Sequence, residues 1–159
     1  MSITTKFGDI LEHSEDFLIH QCNCVTFNCL GLAKSIFTKY PDSNTYQYRV
    51  PSNSKTHNKP GTIDIFVSYK IMNLYCQYQP GKPSSNDTSE MRIKWLYECF
   101  EEILNYNNKI NHSIKSIAVP FNFGCGLAGG DWERYYEIFK NFANDSQIDI
   151  VIYKLDNKK

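Results

Sequence analysis

Apolar positions along the 159-residue chain switch between a period of two and a period near three and a half, and the switches mark the elements. Residues 3–7 and 17–20 are short runs that predict strands, separated by Gly8-Asp9-Ile10 and an acidic turn. A helix is predicted over residues 32–40, stopped by Pro41, which disfavours helical backbone in the residue before it. The polar, proline-bracketed stretch 50–60 reads as a loop. Residues 62–67 and 71–75, rich in β-branched and aromatic side chains, read as two strands joined by a turn near 68–70, a hairpin. Beyond a Pro80-Gly81-Lys82-Pro83 loop, Asp87 and Glu90 have capping-box spacing. Met91, Trp95, Leu96, Cys99, Phe100, Ile103 and Leu104 then recur at three- and four-residue intervals as the buried face of a long helix. The apolar run 117–119 predicts another strand, Trp132, Tyr135, Tyr136, Ile138, Phe139 and Phe142 mark the last helix, and 148–155 alternates as the last strand. Strands alternating with helices predict an α/β sandwich whose mixed sheet is covered on both sides. The length suits a single domain spanning residues 1–159.

Between the 117–119 strand and the last helix lies Phe-Gly-Cys-Gly-Leu-Ala-Gly-Gly-Asp-Trp, residues 123–132. Four glycines free the backbone to take positive φ and to bring N–H groups against an anion, and a following helix adds the positive end of its dipole. A phosphate-bearing ligand is expected there, against the alternative of a tight turn with no ligand. A second constellation is Leu18-Ile19-His20-Gln21-Cys22-Asn23-Cys24, where a buried strand leads into polar side chains just before Gly31-Leu32-Ala33. If the strand persists that far, alternation sends Gln21 and Asn23 to one side and His20, Cys22 and Cys24 to the other. The two amides suit recognition of ribose hydroxyls, or else satisfy backbone groups at a strand end. His20 is a candidate general acid or base, or a hydrogen-bonded structural residue. Asp131 has two roles open to it: N-cap of the last helix, or a carboxylate that orients or deprotonates a water.

Lys plus Arg and Asp plus Glu balance at 17 each, which gives no reason to expect nonspecific nucleic-acid binding or attraction to a membrane. Thr4, Thr5, Lys6, Asp9 and Glu12 interrupt any apolar run at the N-terminus, so an intracellular protein, cytoplasmic or nuclear, is expected. Its six cysteines are then expected to be reduced and mostly buried as small hydrophobes. A structural zinc site on His20, Cys22, Cys24 and Cys29 is the rival reading of that cluster. The spacing argues against it, since such sites present Cys-x2–4-Cys knuckles on turns and this cluster sits on a strand. No metal and no cofactor are expected.

These segments, in this order, resemble the macro domains that bind ADP-ribose, over nearly the whole chain. Gly8-Asp9-Ile10-Leu11 looks like that family's first strand-to-loop signature, Leu18 to Cys24 with Gly31-Leu32-Ala33 looks like its ribose segment, and Gly124-Cys125-Gly126-Leu127 looks like its phosphate loop. The branch most similar is the ADP-ribose-1''-phosphate phosphatase-like one, in which His-x-Cys-Asn-Cys precedes Gly-x-Ala, a helix ends in Tyr-Pro (here Tyr40-Pro41), and Gly-Cys-Gly is followed closely by Trp. The resemblance implies a three-layer α/β/α fold with a central mixed β-sheet. It implies that Asp9, with Gly8 and the Ile10 backbone, meets the adenine amino group, that Gln21 and Asn23 lie at the distal ribose, and that Gly31, Leu32 and Ala33 approach the diphosphate from one side. Phe123, Gly124, Cys125, Gly126 and Leu127 would cover it from the other.

The implied activity is binding of ADP-ribose with hydrolysis of a derivative at the distal ribose, a 1''-phosphate or an ester-linked modification, carried by His20, Asn23 and Asp131. The alternative is a noncatalytic reader of ADP-ribose or ADP-ribosylated protein. Two departures from the family pattern bear on this. Phe27-Asn28-Cys29-Leu30 stands where many relatives have a run of glycines, which makes the distal loop bulkier. Gln77 stands where a related branch carries a catalytic lysine, and an amide cannot form that covalent adduct. Lys82, nearby in the loop, is either its substitute or a solvated side chain.

Overall fold

The computed structural model describes residues 2–155. Six strands, β1 (Ile3–Phe7), β2 (Phe17–Gln21), β3 (Ile63–Phe66), β4 (Ile71–Leu74), β5 (Ser116–Pro120) and β6 (Asp149–Lys154), form one sheet in the order β1-β6-β5-β2-β4-β3. Every pairing is parallel except that of β3, which runs antiparallel to β4 with Ile63 opposite Leu74 and Phe66 opposite Ile71. This is the predicted hairpin, attached as an edge to a parallel sheet. Helix α1 (Gly31–Lys39) covers one face, while α2 (Ser89–Lys109) and α3 (Trp132–Ser146) cover the other. The sheet is therefore the middle of three layers, as expected. Among the described residues no helix is long and apolar enough to cross a membrane.

Parallel strands buried on both faces carry apolar side chains in both directions. Phe17 and Ile19 join the core under α2 and α3, and Leu18 and Cys22 join the core under α1. In β4, Met72 and Leu74 face α2 and α3, whereas Ile71, and Tyr75 just past the strand, face α1. The parallel register brings the strand ends together on one edge, with Phe7 beside Lys154, Pro120 beside Tyr153 and Gln21 beside Leu74. The segments that leave those ends are 8–12, 22–30, 75–83 and 121–131, the same segments the sequence singled out. Ligands of open α/β sheets bind at this edge.

Two expectations about α2 are corrected. Its N-cap is Thr88, whose hydroxyl accepts from the Met91 N–H at 3.1 Å; Asp87 instead turns inward to the buried Arg92. Leu104 is 38% exposed, and Arg92, Ile93 and Asn107 occupy the buried face with the predicted apolar residues. A charged residue with its partner five positions away on the same helix end mimics a cap in sequence. The loop 50–60 holds one short 3-10 turn, Ser54–Thr56.

Candidate ligand cleft

Three cavities line the carboxyl edge of the sheet and share walls. The first, about 510 Å³, lies between Gly8, Asp9, Ile10 and Leu11 on one side and Tyr153, Lys154 and Leu155 on the other. The central one, about 350 Å³, lies between the start of α1 and residues 120–128, with His20 and Gln21 at its base. The distal one, about 480 Å³, lies between Asn23, Thr26, Phe27, Asn28 and Tyr46 and the opposing Gln77, Pro80, Gly81, Leu127 and Ala128. Leu32, Pro120 and Phe121 belong to the first two, and Gln21, Leu30, Ala33, Gln77, Leu127 and Ala128 to the last two. They form one groove.

The central lobe is built from main chain. Helix α1 starts at Gly31 after an N-cap, Leu30, that supplies no side-chain acceptor, so its first N–H groups face the lobe uncapped. Opposite them, among the described residues, the N–H groups of Gly124, Gly126, Leu127 and Ala128 have no protein acceptor. The helix dipole here comes from α1. The expected contribution from α3 is corrected, because its first turn is capped by Asp131, whose carboxylate accepts from the Glu133 N–H at 3.2 Å, and it lies behind the loop. Gly124 needs its missing side chain, since it has φ +73° and a Cβ there would approach Tyr135 to 2.8 Å. Gly126 differs from expectation: its φ is not left-handed, and a Cβ would meet nothing within 4 Å, so only open groove is there to fill.

In the first lobe Asp9 caps the short 3-10 turn Ile10–Glu12, its Oδ1 accepting from the Leu11 N–H at 2.9 Å. One carboxylate oxygen thus shapes the turn, and among the described residues the other has no hydrogen-bond partner. Phe121 lines both this lobe and the central one and is backed by Trp132, ring centroids 5.1 Å apart, so Trp132 supports the wall.

At the junction with the distal lobe the Gln21 Nε2 donates to Gln77 Oε1 at 2.9 Å, and the Gln77 Nε2 donates to the Gly81 carbonyl at 3.2 Å. Both amides line the groove. Asn23 lines the distal lobe, but the expected alternation does not put it there, because β2 ends at Gln21 and Asn23 lies in the turn that follows. His20 is 1% exposed, its Nε2 lying 2.7 Å from Asn73 Oδ1, while Asn73 Nδ2 donates to the Ser43 carbonyl at 3.0 Å. Asn73 therefore accepts, and Nε2 carries the proton. Burial pushes the His20 pKa down to about 4 against the raising effect of that bond, so the ring is neutral at ordinary pH. Among the described residues no carboxylate, lysine or arginine side chain lines the central or distal lobe.

Asp131 is not brought to the groove. It lines a separate cavity of about 140 Å³ behind the glycine loop, shared with Arg92 and Arg134. Lys82 lies against the back of the same loop, its aliphatic stem over Gly129. Cys125 faces the central lobe, but burial raises its thiol to about 12 and keeps it protonated. Among the described residues no group of three or more His, Cys, Asp or Glu is placed to hold a metal. Sequence reasoning missed the frame beneath the groove: Asn73, Arg49 and the Asp87–Arg92 pair. All are polar residues that are buried here, and only their coordinates reveal the contacts.

No family model matches the chain, and no curated protein matches it. Among solved structures, the macrodomain of Mycobacterium tuberculosis DarG superposes with a TM-score of 0.73 at 23% identity, over 97% of this chain and 98% of that one. The fold is the macrodomain fold. A protein of unknown function from Bacteroides thetaiotaomicron shares it at 25% identity and TM-score 0.71, over 98% of this chain and 99% of that one. Thermosipho africanus DarTG in complex with ADP-ribose matches 98% of this chain with 42% of its own length, at 20% identity and TM-score 0.68. On this macrodomain fold the predicted Asp9, Asn23, α1 and glycine-loop segments line a single groove.

Proposed function

We propose that this chain binds ADP-ribose, or a derivative substituted on the distal ribose, along the three-lobed groove. The observation that carries the proposal is the central lobe, where an uncapped helix N-terminus and the unpaired N–H groups of Gly124, Gly126, Leu127 and Ala128 line the same cavity, with no charged side chain among the described residues that line it. Dipoles of this kind stabilise a diphosphate. The first lobe then offers the free oxygen of Asp9 to an exocyclic amino group, and the distal lobe offers Asn23 to a ribose. The ADP-ribose complex of Thermosipho africanus DarTG supports this reading of the groove.

Hydrolysis at the distal ribose, of a 1''-phosphate or an ester-linked modification, extends the proposal. Its supporting residues are Asn23 in the distal lobe and His20 at the base of the central one. A neutral His20 hydrogen-bonded to Asn73 fits a positioning role better than that of a proton donor, and the place of Asp131 behind the loop favours its capping role. A noncatalytic reader of ADP-ribosylated protein is the second reading, favoured because no carboxylate or lysine is among the described residues that line the distal lobe. Incubation with ADP-ribose-1''-phosphate and with ADP-ribosylated protein, reading phosphate and ADP-ribose release, separates them. Release of either product supports the hydrolase; ADP-ribose binding that raises the Tm without release supports the reader.

A further inference from the structure

Asn23 is held by every polar group it has except one. Its N–H donates to Tyr46 Oη at 2.7 Å, and its carbonyl accepts from Arg49 Nη2 at 2.7 Å. Its Oδ1 accepts from the Val25 and Thr26 N–H groups at 3.0 Å each, from the Thr26 hydroxyl at 3.1 Å and from Arg49 Nη1 at 3.1 Å. Two main-chain donors on Oδ1 fix which end of the amide is which. Among the described residues Nδ2 alone has no partner, and it is not one of the atoms buried without one, so it opens to the distal lobe that Asn23 lines.

Arg49 carries this arrangement. It is 3% exposed, with its guanidinium 4.0 Å above the Tyr46 ring. Its remaining bonds go to the Thr26 carbonyl and to Asn58 Oδ1, both neutral. Among the described residues no carboxylate pairs with it, unlike Arg92, which is paired with Asp87 at 2.8 Å. A buried cation against the Asn23 oxygens draws electron density from the amide and strengthens its N–H as a donor.

We infer that Arg49 is a positioning residue that locks Asn23 as a donor-only group, so that the distal lobe selects ligands presenting a hydrogen-bond acceptor there, such as a hydroxyl or phosphoryl oxygen. The inference rests on the ADP-ribose reading of the groove. Its test compares affinities for ADP-ribose and for AMP, which lacks the distal ribose, in the wild type and in Arg49→Gln, Arg49→Lys and Tyr46→Phe. Arg49→Gln is expected to weaken ADP-ribose by about tenfold or more while AMP changes by less than about twofold. Arg49→Lys keeps the charge but not the two-pronged grip, and falls between. Tyr46→Phe, which removes the acceptor for the Asn23 N–H together with the hydroxyl's bond to the Cys22 thiol, is expected to weaken ADP-ribose selectively and keeps the hold on Asn23 testable if the arginine variants do not fold. Equal weakening of both ligands, or unchanged ADP-ribose affinity, overturns the role of Arg49. A wild-type chain that binds neither ligand overturns the functional reading itself.

Discussion

The central and distal lobes of the groove are made of different material. The central lobe is largely main chain: the start of α1, the unpaired N–H groups of Gly124, Gly126, Leu127 and Ala128, and a glycine, Gly126, beside which the groove is open. The distal lobe draws most of its polar groups from side-chain amides, Gln21, Asn23, Asn28 and Gln77, on segments held from behind by two buried arginines. Arg49 grips the loop 23–28, while Arg92 donates to the carbonyls of Ala128 at 3.1 Å and Gln79 at 3.3 Å and so ties the two opposing segments of the far wall together. A site built from backbone depends on what is absent at a few positions. A site built from amides depends on residues that never touch the ligand.

Breaking the far wall produces the largest effect. Burial alone would raise the Asp87 carboxyl, but the bonds from Arg92 and from the Gln79 N–H outweigh it and hold Asp87 below the usual carboxylate range. Arg92→Met leaves that carboxylate buried and unpaired, a loss of about 3–5 kcal/mol. At this chain length the Tm should fall by roughly 10 °C. The Asp87→Asn/Arg92→Met double variant should be less destabilised than Arg92→Met alone; equal loss would show that the ion pair is not what holds the wall.

The His20–Asn73 contact under the groove gives a pH signature. The unfolded chain takes up a proton on His20 near pH 6.5, and the folded chain only near 4. Stability from this group is therefore full above pH 6.5 and lost as pH falls from 6.5 toward 4, by on the order of 3 kcal/mol. Denaturant titrations of the wild type and His20→Gln at pH 7 and pH 4.5 should converge at the lower pH. Parallel losses would place the sensitivity elsewhere.

The smallest effects sharpen the main-chain claim. Gly126→Val keeps an ordinary φ and meets no neighbour, so Tm should hold while ADP-ribose affinity drops by about thirtyfold, or ~2 kcal/mol, through lost space. Leu127→Ala, at a residue 69% exposed, should change affinity by less than about threefold, because on the proposed reading its N–H and not its side chain meets the diphosphate. A large loss in Leu127→Ala would turn the lobe into a side-chain site.

The same contrast explains what could be read from sequence. Strands, helices and the main-chain lobe were legible because their signals are local: period, Pro41 after α1, glycines between β5 and α3. The placement of Asn23 did not follow from alternation, because β2 ends at Gln21 and the turn that Asn23 makes with Val25 and Thr26 sets its side chain. The frame was not legible. Arg49 reaches Asn23 from 26 positions away and Asn73 reaches His20 from 53, and polar residues at such separations look like ordinary surface. Asp87 was misplaced for a related reason, since a cap and a buried ion pair present the same residue types at a helix start. The source of the helix dipole was misassigned because sequence order favours the helix that follows the loop, whereas α1 lies across the groove from it.

The central claim is that one groove holds a diphosphate by main chain and a distal ribose by Asn23. Calorimetric titration of the purified chain with ADP-ribose, run beside AMP, tests it most directly. One-to-one binding of ADP-ribose, tighter than AMP, is the expected result; no heat at millimolar ADP-ribose, or equal affinity for the two ligands, would contradict it.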